Sequence, residues 1–402
     1  MKRNFPAAIR PLQRAHVPNA RRAFLVAFTL SVLRIGHTSP VVQELMAADT
    51  VYRDTVPVSV IFDTDVWSDI DDALALAMLH ALKDRGEINL LAVTISTNDR
   101  WSASYVDLVN TFYGHPRVPI GIIDQGMDLQ AFRKKFPSMT WPVTRYTQLI
   151  SERHKQDGTW VYPRRLTDAN TVPEAVTLLR KTLRAQANGS VVMIQVGYST
   201  NLARLLKSPP DAISALDGRE LIARKVRLLS IMAGSFRETT LQGQTLPKGS
   251  PEFNLLADIP SAQAVFKNWP TPIMASGFEV GLALLYPPKS IEHDFAYLQD
   301  HPIAETYRTF CEEQRPKQRW TCPHAHATFD LTSVLYAVRP DRDYFALSSP
   351  GRITVMDDGR SQFEEAPEGR DRYLILRKEQ EARTLEAIMM LVTQPPVHRG
   401  KP

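Results

Sequence analysis

The stretch Ile61-Phe62-Asp63-Thr64-Asp65-Val66-Trp67-Ser68-Asp69-Ile70-Asp71-Asp72-Ala73-Leu74-Ala75-Leu76 decides the fold of this chain. Residues 58–62 form a short apolar run rich in β-branched side chains, bounded by Pro57 and Asp63. Such a run reads as a buried strand. From 71 to 83 alanine, leucine and methionine dominate, with aspartates in the first turn, where the helix dipole favours negative charge. That segment reads as a helix. A buried strand leading into such a helix opens a βαβ unit.

The pattern repeats outward. Strands are expected at 89–96, 119–123, 190–196, 226–232 and 272–276, with helices at 102–113, 174–187, 201–207 and 262–268. Strands alternating with helices predict a mostly parallel α/β sheet flanked by helices, a Rossmann-like core. Ligands of such sheets bind beyond the carboxyl ends of the strands. Residues 128–170, with Trp141 and Trp160, read as a long insertion or lid. From about residue 346 the alternation is lost. The remainder reads as a small C-terminal appendage: a β-rich piece at 352–356, a charged helix at 379–391 and a Pro-rich tail. The expected division is therefore a leader at 1–50, a catalytic domain at 51–345 and an appendage at 346–402.

The net charge of +5 does not point to nucleic acid. Residues 1–50 hold seven Lys/Arg and two Asp/Glu, so the other 352 residues balance to zero. No run of 18 or more apolar residues occurs, so no ordinary membrane-spanning helix is expected. The basic leader precedes an apolar run at 23–33, and Arg21-Arg22 followed by Ala23-Phe24-Leu25 resembles a twin-arginine export signal. The protein is expected to be exported, or cytoplasmic if translation starts at Met46. Cys311 and Cys322 would pair in the first case and stay free thiols in the second. Cys322-Pro323-His324-Ala325-His326 alone does not make a zinc pattern.

Asp63, Asp65, Asp69, Asp71 and Asp72 fall within ten residues, between a strand end and a helix start. Capping and an acidic first turn account for Asp69 and Asp71 but not for Asp63 and Asp65. Carboxylates packed this closely repel unless a cation neutralises them, and oxygen-only ligands suit calcium or magnesium. Two chemistries place an Asp-x-Asp pair after a strand. One is the dehalogenase-like phosphatase, whose first Asp is a nucleophile. The other continues into Asp-Asp-Ala and an apolar helix, as here.

On these residues the chain resembles the inosine-uridine-preferring nucleoside hydrolases over roughly residues 57–340. Further blocks follow in order: Thr94-Ile95-Ser96-Thr97-Asn98; Val196-Gly197-Tyr198-Ser199-Thr200-Asn201-Leu202-Ala203; Pro251-Glu252-Phe253-Asn254; and, more weakly, Phe329-Asp330-Leu331-Thr332. The family's Pro-Gly after the second Asp is missing, and the spacer is two residues longer. The resemblance implies calcium held by the carboxylates of Asp65, Asp72 and Asp330 and the backbone carbonyl of Val196. It implies ribose hydroxyls held by Asp71, Glu252 and Asn254, with Asn98 assisting, and Asp65 as the base that activates water. Capping for Asp330, a turn role for Asn201 and surface-loop roles for Glu252 and Asn254 stay open beside it. Phe329 stands where the family places a histidine, so the leaving-group acid is left among His324, His326 and stacking on Trp67, Trp101, Tyr198 or Phe278. The implied activity is hydrolysis of a nucleoside or related N-riboside to ribose and free base, in a protein that self-associates or stands alone. A ribose-binding protein without turnover is the alternative on the same fold.

Overall fold

The computed structural model describes residues 56–397 apart from 68, 128–131, 133, 137–143, 167–170 and 319–320. The leader, Met46 and Trp141 lie outside the described residues.

The chain runs through β1 (Val58–Thr64), β2 (Ile88–Ile95), β3 (Ile120–Ile122), β4 (Val191–Gln195), β5 (Val226–Met232), the hairpin β6 (Thr239–Leu241) and β7 (Gln244–Leu246), and β8 (Ile273–Ser276). It continues through β9 (Leu285–Tyr286), β10 (His326–Ala327), β11 (Ala346–Leu347), β12 (Gly351–Val355), β13 (Ser361–Glu365) and β14 (Asp371–Ile375). The main sheet has the order β13-β12-β14-β8-β5-β4-β1-β2-β3, with β11 on β14. From β14 to β3 every pairing along this path is parallel, while β12 and β13 add an antiparallel end.

The apolar runs are buried on both faces because helices cover both. In β1, Val60 and Phe62 enter one core cluster and Ile61 the other, as alternation along a strand requires. The first layer holds the helices Asp71–Asp84, Ser102–Phe112, Phe329–Val338 and Lys378–Val392. The second holds Ala175–Arg184, Thr200–Lys207, Gly218–Lys225 and Ile259–Asn268. Helix Asp71–Asp84 is buried from Asp71 to Leu82 and so lacks a solvent face.

Within the span 346–402 expected as an appendage, β14 pairs in parallel with β8 and so extends the main sheet. The βα rhythm is lost there because the hairpin β12–β13 needs no crossover helix. Within 128–170, Trp160 stacks on His154 at 3.9 Å between ring centres. No helix among the described residues is long and apolar enough to cross a membrane.

Candidate active site

The carboxyl ends of β1, β4, β5 and β8 meet in one place, and the acidic stretch lies there. Asp63, still within β1, faces inward. Thr94 Oγ1 and Asn201 Nδ2 donate to its Oδ2 at 2.6 and 2.8 Å. Burial pushes its carboxyl up to about 7 against the pull of those two bonds. Asp63 therefore fastens β1 to β2 and to helix Thr200–Lys207, and it does not line the pocket in front of the strands. Asp63, the first aspartate of the pair, therefore does not stand in the pocket as the nucleophile that the phosphatase chemistry needs. Asn201, open to a turn reading in the sequence, is buried and serves this fastening.

The pocket itself is lined by Asp65, Asp69, Asp71, Asp72, Val196, Met232, Glu252, Phe253, Asn254, Phe278, Phe329 and Asp330. One carboxylate oxygen each from Asp71, Asp72 and Asp330 lies within 4.8 Å of the others. All three are buried. Burial, and then the charges of the neighbouring aspartates, hold their carboxyls well above the ordinary range. The Asp330 amide donates to Asp71 Oδ2 at 3.0 Å, and Thr64 Oγ1 donates to Asp72 Oδ1. The three buried carboxylates, all oxygen donors, form a cluster able to bind a metal. Asp65 lines the same pocket, and its charge contributes to raising Asp72 and Asp330. Val196 closes the wall at the end of β4. Its carbonyl accepts from Asn254 Nδ2 at 2.7 Å. The next residue must be glycine, since a Cβ on Gly197 would lie 2.5 Å from the Asp65 amide nitrogen.

The longer loop after Asp65 is pinned from outside. Ser102 Oγ donates to the Val66 carbonyl at 2.6 Å, Thr144 Oγ1 to that of Trp67 at 2.5 Å, and Tyr146 Oη to that of Asp69 at 2.8 Å. Trp67 has φ 149°, a value rare for side-chain-bearing residues, at the place where the sequence resemblance expects Pro-Gly.

Glu252 and Asn254 stand opposite the carboxylates and are buried, not on a surface loop. Glu252 accepts from the amides of Asn254, Gly234 and Leu255 at 2.8, 3.1 and 3.3 Å. Burial still pushes it up to about 7. Asn98 is exposed and lines a neighbouring depression with Trp67, Asp99, Met127 and Tyr198, so it is not brought into the acidic pocket. Phe329 and Phe278 stack at 5.0 Å and 21° in the pocket wall. His326 Nε2 lies 2.6 Å from Asp69 Oδ1. Burial alone would lower this imidazole, but the charge and hydrogen bond of Asp69 together with the charge of Asp71 outweigh it, and the net shift is upward. Burial and the His326 ring together push His324 down to about 4. Cys311 and Cys322 form a disulfide beside them. The sequence reading gave Asp69 no role beyond capping. Its carboxylate lines the pocket, beside His326.

A family model for inosine-uridine preferring nucleoside hydrolases matches residues 60–389. The chain belongs to that family. It is by membership an N-glycosidase, on a mixed sheet of mostly parallel strands. Solved structures of the same fold include a plant nucleoside hydrolase, at 20% identity and TM-score 0.57 over 84% of this chain and 100% of that one. A purine-preferring ribonucleoside hydrolase from Gardnerella vaginalis is 15% identical with TM-score 0.60, over 83% and 98%. The type III effector protein XopQ, complexed with adenosine diphosphate ribose, is also 15% identical, with TM-score 0.55 over 89% and 99%. At these identities the likeness is one of fold. Comparison with curated proteins gives no match.

Proposed function

We propose that this nucleoside hydrolase cleaves the N-glycosidic bond of ribonucleosides in a calcium-dependent reaction, giving ribose and the free base. The observation that carries this is the convergence of Asp71 and Asp72 with Asp330, from far apart in the chain, in a pocket that also holds Glu252 and Asn254. Asp65, Asp72, Asp330 and the Val196 carbonyl would hold the ion, with Asp71 at its edge. A calcium ion there supplies a positive centre that orients a water and the sugar's vicinal hydroxyls together.

The protein's own groups do the rest. Asp65 takes the proton from the attacking water. Asp71, Glu252 and Asn254 grip the sugar hydroxyls, and Glu252, titrating near neutrality, can both donate to and accept from them. The carboxylates stabilise positive charge as it develops on the sugar ring. The Phe278–Phe329 stack offers an aromatic wall to the departing base. The Cys311–Cys322 disulfide supports the reading of residues 1–50 as an export leader.

Phe329 in place of the expected histidine favours a second reading, nucleoside or ribose binding without turnover. The test incubates the full-length protein with calcium and a panel of purine and pyrimidine nucleosides and measures ribose release. Release from at least one nucleoside, lost with chelator and in Asp72→Ala, is expected. Saturable binding without release across the panel would select the second reading.

A further inference from the structure

Just beyond β5, four successive backbone amides are each held by a different part of the chain. Ala233 donates to the Ser276 carbonyl at 3.1 Å, Gly234 to Glu252 at 3.1 Å, Ser235 to Ser361 Oγ at 2.9 Å and Phe236 to the Glu279 carboxylate at 3.2 Å. The Gly234 carbonyl accepts from the Phe278 amide at 2.8 Å. Glu252 and Phe278 both line the acidic pocket. One short segment therefore meets a residue proposed to grip the sugar and a wall of the same pocket.

The segment is not held by its own conformation. Gly234 has φ 80°, in the left-handed region, and a glycine has many alternatives to it. The next residue is fixed by Ser361, the first of β13, whose hydroxyl accepts from the Ser235 amide and donates to the Ser235 carbonyl at 3.1 Å. The two residues are 126 positions apart, and both are buried. Without that hydroxyl the buried Ser235 amide would lose its acceptor, so the chain there would shift or admit water. Such a shift reaches Glu252 through the adjoining Gly234 amide. The other two amides on the Glu252 carboxylate, those of Asn254 and Leu255, belong to the short helix Phe253–Ala257 that Glu252 itself caps. Among the described residues, the Gly234 amide is thus the hydrogen bond that ties this carboxylate to the sheet.

We propose that Ser361 is a positioning residue for the sugar pocket: through this one hydroxyl the C-terminal hairpin β12–β13 sets the place of Glu252. The inference rests on the reading of Glu252 as a group that grips the sugar. Ser361 does not line the acidic pocket and acts through backbone alone.

The test uses inosine or uridine, whichever the full-length protein binds more tightly in calcium. KM and kcat are measured where there is turnover and calorimetric Kd where there is none, with the calcium Kd and Tm recorded alongside. Ser361→Ala should raise the nucleoside KM or Kd roughly tenfold, the scale of one hydrogen bond to a charged group. The kcat and the calcium Kd should stay near those of the wild type. In a Glu252→Gln background the same replacement should add little, because both changes act on one interaction. Should Ser361→Ala not fold, Ser361→Cys, which keeps a weak donor and acceptor in place, should move KM or Kd in the same direction. An unchanged KM or Kd, a loss confined to kcat, or an equal effect in the Glu252→Gln background would overturn the assignment, as would a wild type that binds neither nucleoside. A weaker Kd in the variant of a protein without turnover would sink the hydrolase reading and leave the positioning role standing.

Discussion

Replacing Asp330 by asparagine should have opposite effects with and without calcium. In the metal-free protein, carboxylate oxygens of Asp71, Asp72 and Asp330 lie within 4.8 Å of one another. At an effective dielectric of 20, two unit charges at that distance repel by about 3 kcal/mol. Asp330→Asn removes two such repulsions at nearly constant volume. Shared protons relieve part of the strain in the wild type already, since all three carboxyls are raised. The expected net gain in chelator is therefore on the order of 1–2 kcal/mol, a rise of a few degrees in Tm. Calcium at 100 times its Kd should stabilise the wild type by about 2.7 kcal/mol and the variant far less. The two proteins should thus exchange rank when calcium is added. Thermal melts of both, in chelator and in a calcium series, give the answer. A variant less stable than wild type in chelator, or one with the full calcium response, would refute the account of the cluster as a repulsive cage awaiting a cation.

Three further outcomes follow from the same structure. Asp63 and Glu252 are both pushed up to about 7 by burial, so their protonated forms stabilise the fold; that contribution is complete below about pH 4 and is lost as pH rises through 7. Urea midpoints in chelator should therefore fall between pH 5 and 8, and a midpoint rising over that range would contradict the assignment. Gly281→Ala would place a Cβ 2.4 Å from the Phe329 Cα, forcing apart the helices that carry Phe278 and Asp330; a loss of about 1–3 kcal/mol and weaker calcium binding by calorimetry are expected. Cys311→Ser/Cys322→Ser opens a loop closed at a separation of 11 residues and should cost roughly 2–3 kcal/mol, with a correspondingly lower Tm.

Much of the layered fold was legible because strands buried on both faces are written as continuous apolar runs, as in 58–62 and 190–196. Asp65, Asp72 and Asp330 were implied by the family resemblance, and they share a pocket. The place of β14 in the main sheet was not legible, because its pairing with β8 joins residues about 100 positions apart. The fastening role of Asp63 was hidden for the same reason: its partners, Thr94 and Asn201, belong to two other elements. Asn98 matched a motif yet faces a different depression, since the turn after β2 leaves its side chain exposed. The arrival of Asp69 in the pocket depends on carbonyls held by Ser102, Thr144 and Tyr146, which no local pattern encodes.

The closing helix Lys378–Val392 packs on helix Asp71–Asp84, whose first turn bears Asp71 and Asp72, and Gln394 exchanges hydrogen bonds with Arg85 and the Ala81 carbonyl. A helix late in the chain thus braces one that follows the first strand. A nascent chain halted before residue 378 would already contain every acidic group of the pocket, yet it would leave one side of helix Asp71–Asp84 without its cover. Truncated products should accordingly clump or be degraded rather than persist as weak enzymes.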